Sequence, residues 1–350
     1  MRYPFLLFGI TTTIVVLVGL SIVCFDSIAE THSLQNWKSL FPQEEAIISE
    51  DYESDDDTDQ SDYPILEYSQ WDCHIFMGVS SDSKTVITSL LVSEDSAYIQ
   101  GALVLGYSLR RTVDLTNIDT VLMVLDDFEL SDKAMTDLIK VGWDHICRVP
   151  VIESGFQDEI LPRFQKIFAK VTPFAWIKYK RFIFMDLDTL PVGNLSYLLS
   201  PKEEEDGDDN ICKFSAALDY EGGGFQSHFN SGVFSGCPSL KIFDFFVNFI
   251  KTRNDYRIIM GDQGALNKLA EEGILTISPI PWYYNANLAI FESDRQLWDN
   301  NQSKLQIIHY TTAKPFNYLN DFTAQQRTWK PIQLWFEQHE QMKLQLSISQ

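Results

Sequence analysis

The sequence predicts an α/β domain, a parallel-type sheet with helices on both faces, carried behind an apolar N-terminal segment and an acidic spacer. From about Lys84 onward, short β-branched runs alternate with amphipathic helical stretches, the pattern of strands fed by crossover helices. Residues 3–25 hold no charge and are rich in Leu, Ile, Val and Phe. Between these parts the chain turns polar, and residues 44–62 are dominated by Asp, Glu and Ser.

The N-terminal run is long enough to cross a bilayer, which takes roughly 20 apolar residues. A cleavable signal would have a shorter apolar core and a small-residue cleavage site, whereas Asp26 follows Phe25 at once. It is therefore read as an anchor. Arg2 on one side and acids on the other favour a cytoplasmic N-terminus. The expected organisation is a cytoplasmic tail at residues 1–3, a transmembrane signal anchor at 4–25, a disordered stem at 26–83 and a catalytic domain at 84–350. The like-charge block in the stem buries too little apolar area to offset the entropy of ordering. It also lacks the glycine-containing spacing of a calcium loop. The expected location is the Golgi membrane, as a single-pass type II protein with a lumenal catalytic domain.

With 350 residues, 45% of them hydrophobic and 13% aromatic, the chain has material for a sizeable core. A formal charge of -22 would repel phosphate backbones, so nucleic acid is set aside. Cys24 lies in the apolar run, leaving Cys73, Cys147, Cys212 and Cys237 for the lumenal side. The spacing does not choose among disulfide connectivities, free buried thiols fit equally well, and there is no Cys-x-x-Cys zinc spacing. Asn194-Leu195-Ser196 and Asn301-Gln302-Ser303 are glycosylation sequons.

Along the domain, residues 85–92 read as a strand, and Ser96 opens a helix with Ala102, Leu105 and Leu109 on one face. Strands follow at 119–125 and 145–149 around a helix at 131–141. A helix at 164–179 then leads into a strand at 181–185 that ends on Asp186-Leu187-Asp188. Later segments read as strands at 214–218, 232–234 and 305–309, and as helices at 240–251, 263–271 and 332–341.

In open α/β sheets ligands bind beyond the carboxyl ends of strands, which is where Asp186 and Asp188 emerge. Two carboxylates one residue apart can face one hard cation, and Mn²⁺ or Mg²⁺ held there bridges the phosphates of a nucleotide sugar. Haloacid-dehalogenase-type phosphatases also place two aspartates after a strand. In that family a residue separates the second Asp from a Thr, whereas Thr189 follows Asp188 directly.

Over residues 86–316 the sequence resembles glycosyltransferase family 8, the glycogenin-like nucleotide-sugar transferases of GT-A fold, a Rossmann-like mixed sheet flanked by helices. The segment 97–106 is similar to that family's first strand-to-helix region. The resemblance implies that Leu90, Ser93 and Tyr98 line the nucleotide, Tyr98 by stacking on uracil. Lys170, sixteen residues before Asp186, resembles the donor-binding lysine. Phe229-Asn230-Ser231-Gly232 and Gly261-Asp262-Gln263-Gly264 match two further signatures. His309 and Lys314 resemble the third metal ligand and a diphosphate-binding lysine.

By that resemblance Asp186, Asp188 and His309 hold the metal. Leu90, Ser93, Tyr98, Lys170, Asp186, Leu187, Asp188, Asn230 and Lys314 bind the UDP-sugar, and Asp262, Gln263 and Lys170 serve catalysis. Retention at the anomeric carbon is implied too, its route left open. Expected partners are a UDP-sugar donor, a glycan or glycoconjugate acceptor and the membrane, with a homodimer as an open option.

The match has departures. Ile259 stands where glycogenins carry an acid, Thr312 replaces a glycine near the diphosphate, and Phe316 replaces a tryptophan. No tyrosine occurs between Asn285 and Tyr310, where a glycogenin carries its acceptor. The expected activity is transfer of a hexose or N-acetylhexosamine. The alternatives are a self-glucosylating initiator and a noncatalytic UDP-sugar-binding protein.

Overall fold

The computed structural model describes residues 73–75, 85–199, 213–319, 326 and 328–348. The expected tail, membrane span and acidic block lie outside the described residues, and so does the acidic loop at 203–209. Among the described residues no helix is long and apolar enough to cross a membrane.

In chain order the elements are β1 Cys73–Ile75, β2 Thr85–Leu91, α1 Ser96–Thr112, β3 Ile118–Leu125, α2 Asp132–Val141 and β4 His145–Val149. After them come β5 Arg181–Met185, β6 Thr189–Pro191, β7 Phe214–Glu221 and β8 Gly224–Gly236. The last third holds α3 Leu240–Thr252, α4 Asp262–Glu271, β9 Ile277–Pro279, β10 Ala286–Asn287, α5 Leu288–Ser293, α6 Arg295–Asn300, β11 Ile307–His309 and α7 Lys330–Ile348. The strand β1 lies inside the stretch expected to be stem, so the sheet reaches back beyond residue 84.

The main sheet has the order β1-β4-β3-β2-β5-β8-β7-β9. Strands β4, β3, β2 and β5 run parallel. Their residues are buried almost throughout, as befits strands covered on both faces. The sheet is mixed rather than parallel throughout, because β8 pairs antiparallel with β5 and β1 with β4. Helix starts follow their capping residues: Asp95 accepts from the Ala97 amide at 2.9 Å, and Ser131 from Ala134 at 3.2 Å. Trp143, 1% exposed, locks α1 to the sheet by donating its indole N–H to the Ala102 carbonyl at 3.0 Å.

Two expectations are corrected. Residues 164–179 do not form an α-helix: short 3₁₀ segments run over Pro162–Phe164 and Ile167–Ala175. Pro173, inside the second segment, cannot donate a backbone N–H, and the Trp176 cap bonds back to its carbonyl at 3.2 Å. The strand expected at 232–234 is the inner half of β8, a long strand paired with β7 in a hairpin.

A second, three-stranded sheet has the order β10-β11-β6. Its register sets Thr189 opposite His309 and Asn287 beside His309. A histidine remote in sequence is thereby carried to the end of β5.

Candidate active site

The strand β5 is held between β2 and β8, and its backbone continues into a turn. The Asp186 amide donates to the Gly232 carbonyl at 2.7 Å, and the Thr189 hydroxyl donates to the Asp186 carbonyl at 2.7 Å. The Tyr310 amide donates to the Asp188 carbonyl at 2.8 Å. Ligand atoms of Asp186, Asp188 and His309 therefore converge, all within 4.8 Å of one another. His309 Nε2 lies 3.4 Å from Asp188 Oδ1 and 3.9 Å from Asp186 Oδ2. Hard carboxylate oxygens and one imidazole fit a divalent cation such as Mn²⁺.

A chain of hydrogen bonds fixes which histidine nitrogen faces the carboxylates. It begins at Asp219, a buried carboxylate of β7 that accepts from Asn230 Nδ2 at 3.1 Å, Gln263 Nε2 at 2.8 Å and Asn287 Nδ2 at 3.3 Å. Because Asn230 donates to Asp219, its Oδ1 is left to accept from Asn285 Nδ2 at 2.9 Å and from the Gly232 amide at 2.9 Å. Asn285 then turns its own Oδ1 to His309 Nδ1 at 2.9 Å. That oxygen can only accept, so the proton sits on Nδ1 and the Nε2 lone pair points at the metal position.

Two lysines balance the carboxylates. Lys170, on the 3₁₀ segment, lies 2.8 Å from Asp186 Oδ1 and 3.4 Å from Asp262 Oδ2. Burial disfavours its charge, but Asp186 and Asp262 outweigh burial and raise its pKa above the ordinary lysine value. Lys314 pairs with Asp188. Burial pushes the Asp188 carboxyl up, yet the Lys314 ammonium holds it far below the usual carboxylate range. Asp262 goes the other way: burial raises it, and Lys170 opposes that only in part.

The expected residues are thus brought together at Asp186, Asp188, His309, Lys170, Lys314 and Asp262. Asn230 and Gln263 join them through Asp219. Gln263 also accepts the Ser231 amide at 3.2 Å, which ties α4 to β8. Leu187 is buried at the centre of the turn. Tyr98 lies in the first turn of α1 and Leu90 near the end of β2, with the Tyr98 ring 5.6 Å from that of Phe316. A Cβ at Gly101 would come 2.9 Å from Phe316 and 3.1 Å from the Leu187 carbonyl, so α1 rests directly on the aspartate turn. The Ser93 hydroxyl accepts from the Asp95 amide at 3.0 Å. Thr312 is exposed and donates to Glu292 at 2.5 Å, away from the carboxylates.

Sequence reading missed Asp219 and Asn287. The one available signal was a carboxylate inside the strand run Phe-Ser-Ala-Ala-Leu-Asp-Tyr, where burial of an acid demands partners.

The chain has a GT-A-type fold, and its site gathers two aspartates, a histidine and two lysines. No family model matches the chain. It is 26% identical over 278 residues to inositol phosphorylceramide glucuronosyltransferase 1 of Arabidopsis thaliana, covering 73% of this chain and 46% of that protein. It is 27% identical over 237 residues to glycogenin-1 of Homo sapiens, covering 66% of this chain and 62% of that protein. The match therefore spans less than two thirds of either relative. Among solved structures, the apo-form glycosyltransferase GlyE of Streptococcus pneumoniae shares the fold with a TM-score of 0.51 at 18% identity, over 76% of this chain and 64% of that one. In its ordered motifs and in these relatives the chain resembles the glycogenin-like transferases of family 8.

Proposed function

We propose that the chain is a retaining, metal-dependent glycosyltransferase that moves a hexose or N-acetylhexosamine from a UDP-sugar to a glycan or glycoconjugate hydroxyl. The observation that carries this reading is the convergence of Asp186, Asp188 and His309 within 4.8 Å, with two lysines beside them. A divalent ion held there supplies Lewis-acid stabilisation of the departing diphosphate.

The chain's own groups do the rest. Lys170 and Lys314 set fixed positive charge against the phosphates and stabilise the charge that builds on UDP as the glycosidic bond breaks. Tyr98 offers its ring to uracil, flanked by Leu90 and Ser93. Asn230, Asp219 and Gln263 hold the sugar hydroxyls, and Asp262 and Gln263 are assigned to its reacting side.

Placement in the Golgi lumen behind the anchor at residues 4–25 belongs to the same proposal. Cys147 and Cys237 are disulfide-bonded, which suits an oxidising compartment. Self-glucosylation is disfavoured at Tyr310, which is fully buried and donates its hydroxyl to the Pro331 carbonyl at 2.7 Å. One relative is named for glucuronate transfer to inositol phosphorylceramide, so glycolipid acceptors and UDP-glucuronate belong in the assay.

The test is UDP release by the full-length chain across a panel of UDP-sugars, with and without Mn²⁺. Release from one donor that needs both Mn²⁺ and Asp186 is the expected result. Release that persists in Asp186→Asn would remove the metal assignment. UDP binding by calorimetry with no donor turned over would favour the noncatalytic reading.

A further inference from the structure

Outward from Asp219, the rim of the site carries a cation with no acid of its own. His228 on β8 has Nε2 3.8 Å from Asp219 Oδ2 and 3.3 Å from Arg257 Nη1. A guanidinium has only N–H donors, so His228 Nε2 accepts and the imidazole is neutral, protonated on Nδ1. Burial, opposed by Asp219 and aided by Arg257, also keeps the His228 pKa below its ordinary value. A neutral histidine does not cancel the charge of Arg257.

Among the described residues no carboxylate forms an ion pair with Arg257. Arg253, four residues earlier, is by contrast clamped by Asp255 at 2.6 Å and Glu272 at 2.5 Å. Two further acids act on His228, Glu221 and Glu271, and Glu271 is held by Lys268 at 3.6 Å. In a chain with 49 acidic against 27 basic residues, an exposed guanidinium left without a carboxylate has capacity for an outside anion.

Its position is fixed from both sides. The Arg257 carbonyl lies 2.2 Å from where a Cβ on Gly264 would stand, so its backbone is packed on the turn of α4 that presents Asp262 and Gln263. Burial falls along the path outward, from 1% exposure at Asp262 and 3% at Asp219 to a half-buried His228 and an exposed Arg257. The inner end, with both lysines, suits the diphosphate of the donor. The outer end, at Arg257, opens to solvent.

We propose that Arg257, seated against His228, is an acceptor subsite for an oxyanion, a phosphate or carboxylate borne next to the hydroxyl that is glycosylated. The planar fork of a guanidinium matches both groups bidentately. The subsite rests on the glycosyltransferase reading and adds the acceptor's charge to it. Arg257 acts as a specificity residue and exchanges no bonds.

The experiment titrates paired probes into the full-length chain loaded with UDP and Mn²⁺, following saturation-transfer NMR and calorimetry. Inositol 1-phosphate is compared with inositol, and glucuronate with glucose; the two anions distinguish phosphate from carboxylate as the preferred source. At least one anion is expected to bind about ten-fold or more tighter than its neutral counterpart. Arg257→Ala is expected to bring that ratio close to one, and Arg257→Lys to keep part of it. Equal binding of anion and neutral probe, or a preference that survives in Arg257→Ala, would overturn the proposal. Failure of the underlying reading shows separately, as loss of Mn²⁺-dependent UDP binding in the unaltered chain. Arg257 is exposed and holds no ion pair, so its replacement leaves the fold intact, which a thermal melt checks.

Discussion

Asp188 and Asp262 are both buried beside a lysine, yet their environments drive them in opposite directions. Asp188 is held far below the ordinary carboxylate range by Lys314 against the effect of burial. Its contribution to stability is present above the unfolded carboxylate pKa and is lost as pH falls through the folded one. Asp262 is raised by burial. Its contribution is present below the unfolded pKa and declines as pH rises through the folded value, so at neutral pH the charged group opposes folding. Asp262→Asn is therefore expected to raise the melting temperature of metal-free protein at neutral pH while abolishing transfer. The rise should amount to a few degrees, because about 1 kcal/mol moves a chain of this size roughly 2–4 °C. Melting curves between pH 4 and 8 check this, and an unchanged or lowered midpoint at pH 7 would remove the assigned cost. Asp219→Asn makes the converse case. It disturbs the first member of the chain that runs through Asn230 and Asn285 to His309. Mn²⁺ affinity is expected to fall about 10–100-fold although Asp219 is no ligand; a metal titration with unchanged affinity would break that chain.

At the scale of elements, closeness rather than sequence proximity makes the site. A Cβ on Gly232 would lie 2.1 Å from His309 Cε1 and 2.9 Å from Asn230 Oδ1. Only glycine lets β8 pass beneath His309, and Gly232→Ala must push that side chain aside. The expected outcome is a folded protein with roughly 10-fold or greater loss of Mn²⁺ affinity, read by metal titration beside circular dichroism. The glycine was visible in the sequence as part of a motif, but its neighbour His309 is brought in by β11 pairing with β6. Strands β2 to β5 were legible because double burial writes an unbroken apolar run. The outer half of β8 was not legible, since it leaves the core, with Phe225 and Ser227 exposed between the half-buried Gly224, Gln226 and His228. The 3₁₀ segment bearing Lys170 was misread because its apolar spacing imitates an α-helix, and Pro173 was not given enough weight. Asp219 could not be found by spacing at all, for its partners come from β8, β10 and α4.

For the whole molecule, the open matter is the compartment, and covalent chemistry decides it. Cys147 and Cys237 are both disulfide-bonded. They cannot bond each other, because β3, β2 and β5 stand between their strands in the sheet, at about 4.8 Å per strand. The register sets Cys73 opposite Cys147, and Ser215 of β7 opposite Ser235 of β8, two residues from Cys237. Peptide mapping without reductant is thus expected to recover Cys73–Cys147 and, separately, Cys237 in a second disulfide. The two sequons differ in the same frame. Asn194 is exposed on a loop, its Oδ1 accepting the Ser196 amide at 2.7 Å. Asn301 is half-buried, and its Nδ2 donates to the Leu297 carbonyl at 2.9 Å. A lumenal chain should therefore carry glycan at Asn194 in preference to Asn301. Made in a secretory-competent eukaryotic cell, the chain is expected to lose mass on amidase treatment, and Asn194→Gln to abolish that loss. An unmodified mass together with free thiols at Cys147 and Cys237 would place the catalytic domain on the cytosolic side and remove the lumenal reading.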